Sequence, residues 1–129
     1  MIEPRAIVLV AIGASIGGVL RYVVGQLFFQ RFGPGFPYGT LFINVTGSFL
    51  IGIIAELAAS RAMGATPAVR IFAATGILGG YTTFSTFALD GVTLAEQGWL
   101  IPTIYVALSI VLGLTGAALG GSCVRLAIR

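Results

Sequence analysis

The sequence has no histidine and no lysine, and it has a single cysteine, Cys123. Without histidine the chain lacks the commonest general base and a frequent metal ligand. A lone cysteine rules out an internal disulfide and any Cys-rich metal site. These absences argue against enzyme chemistry, and we expect no catalytic residues.

Charge is also scarce. Only 9% of the residues are charged and 57% are apolar, whereas soluble domains carry roughly 25% charged residues. With a mean hydropathy of +1.05, the chain cannot cover a water-facing surface with charge, so we expect a lipid surround. The seven basic residues, all Arg, lie mainly near the ends of apolar segments. That placement indicates membrane-flanking charge and no nucleic-acid partner.

What the chain does contain is four apolar segments, each of about 20 residues, the length that crosses a bilayer as a helix. They cover residues 7–29, 40–59, 69–89 and 99–119. The first is interpreted as a retained helix, because three more spans follow and no small-residue cleavage site ends a short apolar region. The sequence therefore predicts an all-α integral membrane protein, with one four-helix domain over residues 1–129.

Four spans place both termini on one face, called side A, and the opposite face is side B. Side A carries Arg5, Arg61, Arg70, Arg125 and Arg129. Side B carries Arg31, with Arg21 a few residues inside the membrane. The positive-inside rule then favours cytoplasmic termini. Aromatic residues expected near side B form a belt of the interfacial kind: Tyr22, Phe28, Phe29, Phe32, Phe36, Tyr38 and Trp99.

Small residues recur at four-residue spacing, which lets helices approach closely in lipid. The rows are Gly13/Gly17, Gly76/Gly80, Gly116/Gly120 and Ser109/Gly113/Ala117/Gly121. A lone four-helix bundle would use fewer such rows, so they predict an oligomer, most simply a dimer.

Polar residues lie at depth in the second and third segments. Asn44 is either hydrogen-bonding glue between helices or a donor that lines a pathway. Gly79 and Gly80, followed by Tyr81 and two threonines, predict a break in the third helix that would free backbone carbonyls for a cation. Phe84 and Phe87 share a helix face; on their spacing alone, ordinary packing is the commoner explanation.

The motifs "GGYTTFSTF" (79–87), "YGTLFIN" (38–44), "GSFLIG" (47–52) and "GGVLRY" (17–22) together closely resemble the Fluc (CrcB) fluoride channel family. The resemblance implies an antiparallel, dual-topology homodimer with two fluoride pores. It also implies a structural sodium ion at the dimer centre, bound by carbonyls of the two broken third helices. The charge bias of the loops does not by itself predict mixed orientation.

The resemblance also implies residue roles. Asn44 corresponds to the pore-lining donor, and Phe84 and Phe87 to the aromatics that meet fluoride edge-on. The backbone carbonyls of Gly79 and Thr82 would bind sodium, and Arg21 would be the vestibule arginine. The implied polar lining is Thr40, Thr83, Ser85, Tyr105 and Ser109. One departure is Gly113, where some members continue this lining with Ser.

The expected function is passive, fluoride-selective export across the plasma (inner) membrane, with fluoride, the bilayer and a second copy of the chain as partners. The alternatives are a small dual-topology proton-coupled exporter, for which Glu56 is the only carboxylate to consider, a proton-coupled fluoride exchanger, and a non-transporting assembly subunit. We also predict an ion pair between Arg21 and Asp90, because an unpaired charge at that depth is costly.

Overall fold

The computed structural model describes residues 3–60 and 66–128, and all regular structure within them is helical. Helices α1 (Pro4–Phe32), α2 (Tyr38–Ser60) and α6 (Leu100–Ala127) are continuous, and each is long and apolar enough to cross a membrane. The third segment is built from pieces: α3 (Pro67–Arg70), a π-helical stretch (Ile71–Leu78), α4 (Gly79–Tyr81) and α5 (Phe84–Ala95). The expectations of an all-α membrane protein and of a broken third helix are confirmed.

The helices begin and end where local chemistry requires it. Pro4 and Pro67 open α1 and α3, where a missing amide hydrogen costs nothing. Gly33 ends α1 at a φ of 73°, and its amide donates to the Phe29 carbonyl at 2.8 Å. Gly98 takes a φ of 127° in the turn before α6. Because left-handed backbone favours glycine, these two positions define the loop ends.

The continuous helices extend beyond the predicted spans. Helix α1 has 29 residues, about 44 Å at about 1.5 Å per residue, against about 30 Å of hydrocarbon. Its last turn carries Arg31, whose guanidinium carbon lies 5.5 Å from the Phe32 ring centroid. The extra turns therefore place charged and aromatic side chains at the membrane surface.

Glycine rows join the helices in pairs inside the chain. A Cβ added at Gly13 would lie 2.7 Å from the Phe72 carbonyl oxygen, and one added at Gly80 would lie 2.5 Å from the Ala14 carbonyl oxygen. Such distances are too short for real Cβ atoms, so the backbones of α1 and the third segment touch through these glycines. Helices α2 and α6 meet in the same way, because a Cβ on Gly52 would overlap the Ala117 carbonyl.

The small-residue rows therefore serve packing within one chain. Gly120 abuts the Phe49 carbonyl of α2, and Gly116 faces Val45 of the same helix. These rows do not by themselves support a dimer, because neighbouring helices of the same chain already occupy them, and the dimer stays a prediction. A dimer needs an argument from other surfaces.

Side A carries an ion pair between α2 and α6. The Arg125 guanidinium lies 2.5 Å from a Glu56 carboxylate oxygen, and their side chains are 52% and 22% exposed. Arg125 also donates to Ser122 Oγ at 2.9 Å. This pair places Glu56 at the end of the bundle, as an interfacial charge. Two of the arginines assigned to side A, Arg61 and Arg129, lie outside the described residues.

Aromatic rings cluster at the opposite end, where α1, the 33–37 loop and α2 meet. Phe28 lies 4.9 Å from Phe42 and 5.7 Å from Phe32, between ring centroids. Phe36 and Phe32 both contact Tyr38, at 4.7 and 5.2 Å. These contacts link the end of α1 to the start of α2 on side B.

Candidate functional site

The helix break lies at Thr82 and Thr83, which follow the two glycines to which the sequence analysis attributed it. Gly79–Tyr81 is still helical, and the Thr82 amide makes a final helical bond to the Leu78 carbonyl at 2.9 Å. Thr82 then turns to a ψ of 158°, and Thr83 is fully extended. The interpretation that the glycines themselves break the helix is wrong, because Gly80 instead packs on α1.

Thr83 restarts the helix as its N-cap. Its hydroxyl accepts a hydrogen bond from the Thr86 amide at 3.2 Å, which satisfies one of the free amides at the start of α5. The same hydroxyl donates to Thr86 Oγ1 at 3.0 Å and lies 3.3 Å from Ser85 Oγ. A cluster of three hydroxyls thus surrounds the first turn of α5.

Asn44 joins α2 to this break through two hydrogen bonds. Its Oδ1 accepts from the Thr83 amide at 2.9 Å, and its Nδ2 donates to the Thr83 carbonyl at 3.0 Å. These bonds assign the amide orientation, because the backbone amide can only donate and the carbonyl can only accept. The second Nδ2–H of Asn44 makes no hydrogen bond to any residue in 3–60 or 66–128. Asn44 thus bridges two helices and keeps one donor free.

A cavity of about 420 Å³ opens beside Asn44, between α2, the break and α6. No charged side chain of the described residues lines it. Its lining residues are Asn44, Gly47, Ser48, Ile51, Leu78, Gly79, Thr82, Thr83, Phe84, Phe87, Ser109 and Ile110. Most of the predicted site residues therefore meet at one cavity, although they come from three segments of the sequence.

Two of the hydroxyls in this cavity already donate elsewhere. Ser109 donates to the Tyr105 carbonyl in its own helix at 2.7 Å, and Thr83 donates to Thr86. A hydroxyl has one hydrogen, so these two present oxygen to the cavity until they rotate. The free Nδ2–H of Asn44 is consequently a donor that needs no rearrangement.

Both phenylalanines line the cavity. Their ring centroids are 5.6 Å apart with a 45° tilt. Phe84 is 80% exposed, whereas Phe87 is half-buried and contacts Tyr105 at 5.3 Å. One chain therefore leaves the Phe84 ring uncovered.

Three of the residues predicted to line the pore lie outside this cavity. Tyr105 is fully buried, and its hydroxyl lies 3.3 Å from Asp90 Oδ2, the acceptor for its hydrogen. Thr40 lines a separate cavity of about 300 Å³ at side B, together with Asp90. Ser85 is exposed beside Thr83. The cavity also includes Ser48, which lies one turn after Asn44 on α2 and was not among the predicted lining residues.

Arg21 is not paired with Asp90, so that prediction is wrong. Its Nη1 instead lies 3.5 Å from the Thr82 carbonyl oxygen, across the interface between α1 and the third segment. Asp90 is six residues into α5 from Phe84, about 9 Å along the helix axis, and its carboxylate accepts from Tyr105. The predicted pair placed the two side chains at one level, whereas Arg21 reaches the Thr82 carbonyl, eight residues before Asp90 in the sequence.

The break also exposes carbonyl oxygens that suit a monovalent cation. The Thr83 amide would close a helical bond to the Gly79 carbonyl, but it is donated to Asn44 instead. Gly79 is exposed, and the Thr82 carbonyl has only the long contact with Arg21. Within the described residues no group of three or more His, Cys, Asp and Glu could hold a metal. Neutral oxygens without carboxylates fit sodium better than calcium.

These features define a multi-pass membrane protein with an uncharged, partly polar cavity at a broken helix. Residues 8–121 match the family described as CrcB-like protein, Camphor Resistance (CrcB). The chain belongs to this family.

Curated relatives cover nearly all of the chain. It is 49% identical over 120 residues to "Fluoride-specific ion channel FluC" of Rhizobium meliloti (strain 1021), covering 92% of this chain and 95% of the relative. It is 48% identical over 119 residues to the protein of that name in Agrobacterium fabrum, covering 88% and 94%. It is 52% identical over 116 residues to "Fluoride-specific ion channel FluC 1" of Nitrobacter hamburgensis, covering 89% and 90%. All three are named as ion channels, not enzymes.

Proposed function

We propose that this protein is a passive, fluoride-selective ion channel that exports fluoride from the cytoplasm and limits its toxicity. The observation that carries the proposal is the cavity at the helix break, in which Asn44 keeps a free donor beside Phe84 and Phe87 and no charge lines the wall. The names of the curated relatives support the same ion.

The chemistry of the cavity suits a small, strongly hydrated anion. A pore must replace the water around fluoride, and amide and hydroxyl groups supply hydrogen-bond donors for that purpose. The ring edges of phenylalanine carry partial positive charge and add a weaker attraction. A fixed cation in the narrow region would hold the ion too firmly, whereas conduction needs several weak sites. Arg21, at the break but outside the cavity lining, would raise the local anion concentration as the vestibule charge.

A second copy of the chain would complete the pore. The cavity is not enclosed by this chain, and Phe84, one of its lining residues, has most of its ring uncovered. A cavity of this shape conducts along a defined route only if another surface closes it. We propose an antiparallel, dual-topology homodimer in which each chain closes the other's cavity, so that the dimer has two pores.

The dimer axis would bring two sets of break carbonyls together. Gly79 and Thr82 of each chain would then bind one structural sodium ion, which supplies a fixed positive charge between the pores. An unsatisfied carbonyl in lipid costs several kcal/mol. A cation bound by these oxygens removes that cost. The Asn44–Thr83 hydrogen bonds keep the helix interrupted, so that the carbonyls stay outside the helical bond pattern.

Export needs no energy source other than the membrane potential. We place the protein in the plasma (inner) membrane, where the inside is negative. Moving one charge through 100 mV is worth about 2.3 kcal/mol, which sustains about a 50-fold gradient at an RT of about 0.59 kcal/mol. Fluoride that enters as neutral HF and ionises inside would leave through a passive pore.

A small proton-coupled exporter is the alternative of a different class. Such a protein needs a titratable carboxylate inside the membrane. Glu56 is paired with Arg125 in the last turn of α6, and Asp90 accepts from Tyr105. Neither carboxylate lines the cavity with Asn44. The arrangement therefore favours the channel.

Fluoride efflux from liposomes tests the proposal. Purified protein is reconstituted into vesicles loaded with potassium fluoride, and efflux is started with a potassium ionophore and followed with a fluoride electrode. We expect fast fluoride efflux that follows the imposed voltage, and negligible chloride efflux under the same conditions. Efflux that requires a pH gradient and ignores voltage would indicate an exchanger. An absence of fluoride efflux would refute the proposed function.

A further inference from the structure

A second contact between α2 and the broken segment lies beside the Asn44 bonds. Thr46 Oγ1 is 3.1 Å from the Tyr81 hydroxyl oxygen, and it is also 2.7 Å from the Phe42 carbonyl in its own helix. A threonine hydroxyl has one hydrogen, and the shorter contact to a carbonyl takes it. Tyr81 is therefore the donor and Thr46 the acceptor of the bond between the two segments.

Gly47 completes the contact between these two bonds. A Cβ at Gly47 would overlap the Cγ2 methyl of Thr82 and lie 3.5 Å from Tyr81 Cδ1. The methyl group thus occupies the space that a side chain at Gly47 would take. Three consecutive residues, Tyr81 to Thr83, each contact α2, through a hydroxyl pair, a close packing contact and an amide.

The short helix α4 continues the π-helical stretch, and Gly80 packs it against Ala14 of α1. Its last residue is Tyr81, and the Thr82 amide makes the last helical hydrogen bond before Thr82 turns to a ψ of 158°. Contacts from α2 therefore help to set the backbone beyond this point. A change in the backbone at Tyr81 would reorient the Thr82 carbonyl directly and would disturb the last turn, which contains the Gly79 carbonyl.

We propose that the Tyr81–Thr46 hydroxyl pair is a positioning latch. It holds α4 against α2, so that the Gly79 and Thr82 carbonyls keep the orientation needed to bind sodium. This inference deepens the proposed function, because it rests on the cation site suggested there. Neither hydroxyl lines the cavity with Asn44, so the pair acts through the backbone it holds and not by contact with fluoride.

Tyr81→Phe isolates the latch with little cost to the fold. The substitution removes one hydroxyl and keeps the ring. Thr46 keeps its bond to the Phe42 carbonyl, so no polar group on α2 loses its only partner. Thr46→Val removes the acceptor from the other side, and Thr46→Ser restores it.

The test measures sodium dependence in two ways on the full-length protein. The first is the sodium concentration that gives half-maximal fluoride efflux. The second is the sodium concentration that gives half of the rise in melting temperature in detergent, with an organic cation as replacement. We expect Tyr81→Phe and Thr46→Val each to raise both values about three- to tenfold, the range for one lost hydrogen bond. Saturating sodium should restore maximal efflux in both single variants. Thr46→Ser should have the same half-saturating sodium concentrations as the unmodified chain. The double variant should have the same values as either single variant.

Two substitutions serve as controls because their hydroxyls do not bond across helices. Tyr22→Phe changes a tyrosine that is 68% exposed on α1. Thr103→Val changes a threonine whose hydroxyl donates to the Trp99 carbonyl of the preceding turn at 2.6 Å. Both should leave the half-saturating sodium concentrations unchanged.

The outcomes separate the latch from the proposed function. Unchanged sodium dependence in both single variants, additive effects in the double variant, or lost efflux that sodium does not restore would each overturn the latch. If the unmodified chain moves no fluoride, the fluoride function fails, and the melting curves still test the latch. If sodium changes neither readout of the unmodified chain, the latch is refuted, and the fluoride measurement stands independently.

Discussion

Replacing Asn44 with Asp tests the donor at the centre of the proposed pore. The change keeps the side-chain shape and the oxygen that accepts from the Thr83 amide. It replaces Nδ2 with a second oxygen, which would face the Thr83 carbonyl across the 3.0 Å that the hydrogen bond now spans. The second N–H of Asn44, a residue that lines the cavity, is lost at the same time, and a negative charge takes its place.

The expected loss of conduction is large. An anion passing at about 4 Å from a carboxylate meets a repulsion of about 4 kcal/mol at an effective dielectric constant of about 20. Since about 1.36 kcal/mol corresponds to a factor of ten, this repulsion alone lowers the rate about 1,000-fold, to the background of empty vesicles. Leaving the Thr83 carbonyl unpaired destabilises the fold by a further amount, about 1–3 kcal/mol.

The assay is voltage-driven fluoride efflux from liposomes, with dimer content checked by size-exclusion chromatography. Gln97→Glu is the matched control, because it makes the same amide-to-acid change at an exposed turn residue. We expect a dimer without efflux for Asn44→Asp and normal efflux for the control. Efflux through Asn44→Asp at the unmodified rate would remove Asn44 from the conduction route and refute the reasoning.

Three further predictions concern the rings, the packing and the cation. Phe84→Ile and Phe87→Ile keep apolar bulk but lose the ring edge, so each should lower efflux roughly tenfold; full activity in both would show that the rings only pack. Gly17→Ala should destabilise the protein by about 1–3 kcal/mol or more because the new methyl would overlap the Ile77 carbonyl, whereas Gly18→Ala meets nothing within 4 Å and should be neutral or slightly stabilising in thermal melts. Thr82→Ser keeps the backbone carbonyl and the hydroxyl and removes only the methyl that packs on Gly47, so it should preserve sodium-dependent melting; loss of that dependence at an unchanged melting temperature without sodium would contradict a site made of carbonyls alone.

The glycine rows in the sequence suggested a dimer, but the packing of the folded chain does not support that argument. Glycine rows show that backbones approach closely, but spacing carries no information about which helix is the neighbour. Here Gly80 meets Ala14, and Gly120 meets Phe49 of the same chain. The argument for a second copy now rests on the open cavity and the uncovered Phe84 ring, both of which are properties of the folded chain.

The helix break in the third segment was likewise only partly predictable from the sequence. The run from Gly79 to Thr83 combines residues that weaken helices, and this composition predicts a break somewhere within it. The position of the break depends on Asn44, because its amide takes the Thr83 backbone out of the helical bond pattern. That partner is 39 residues away, so local propensity could only bracket the site.

The sequence by itself determined that this is a helical membrane protein without catalytic equipment, and it supplied most of the residues at the cavity. Hydropathy and length are sufficient for the first, because a bilayer imposes them on every span. The motifs contain Asn44, Thr83, Phe84 and Phe87, and the family resemblance implied Ser109. The fold brings all five residues to one cavity.

Only the tertiary structure decided which of the polar groups are free to bind a ligand. It directed the Tyr105 hydroxyl to Asp90 and moved Arg21 away from that carboxylate, to the Thr82 carbonyl. Among the described residues it also left one N–H of Asn44 without a partner, whereas the hydroxyls of Thr83 and Ser109 already donate elsewhere. A hydrogen-bonding group offers a ligand only what its protein partners have not taken, and those partners lie on helices that are distant in the sequence. That is why the residue types were predictable and their roles depended on the fold.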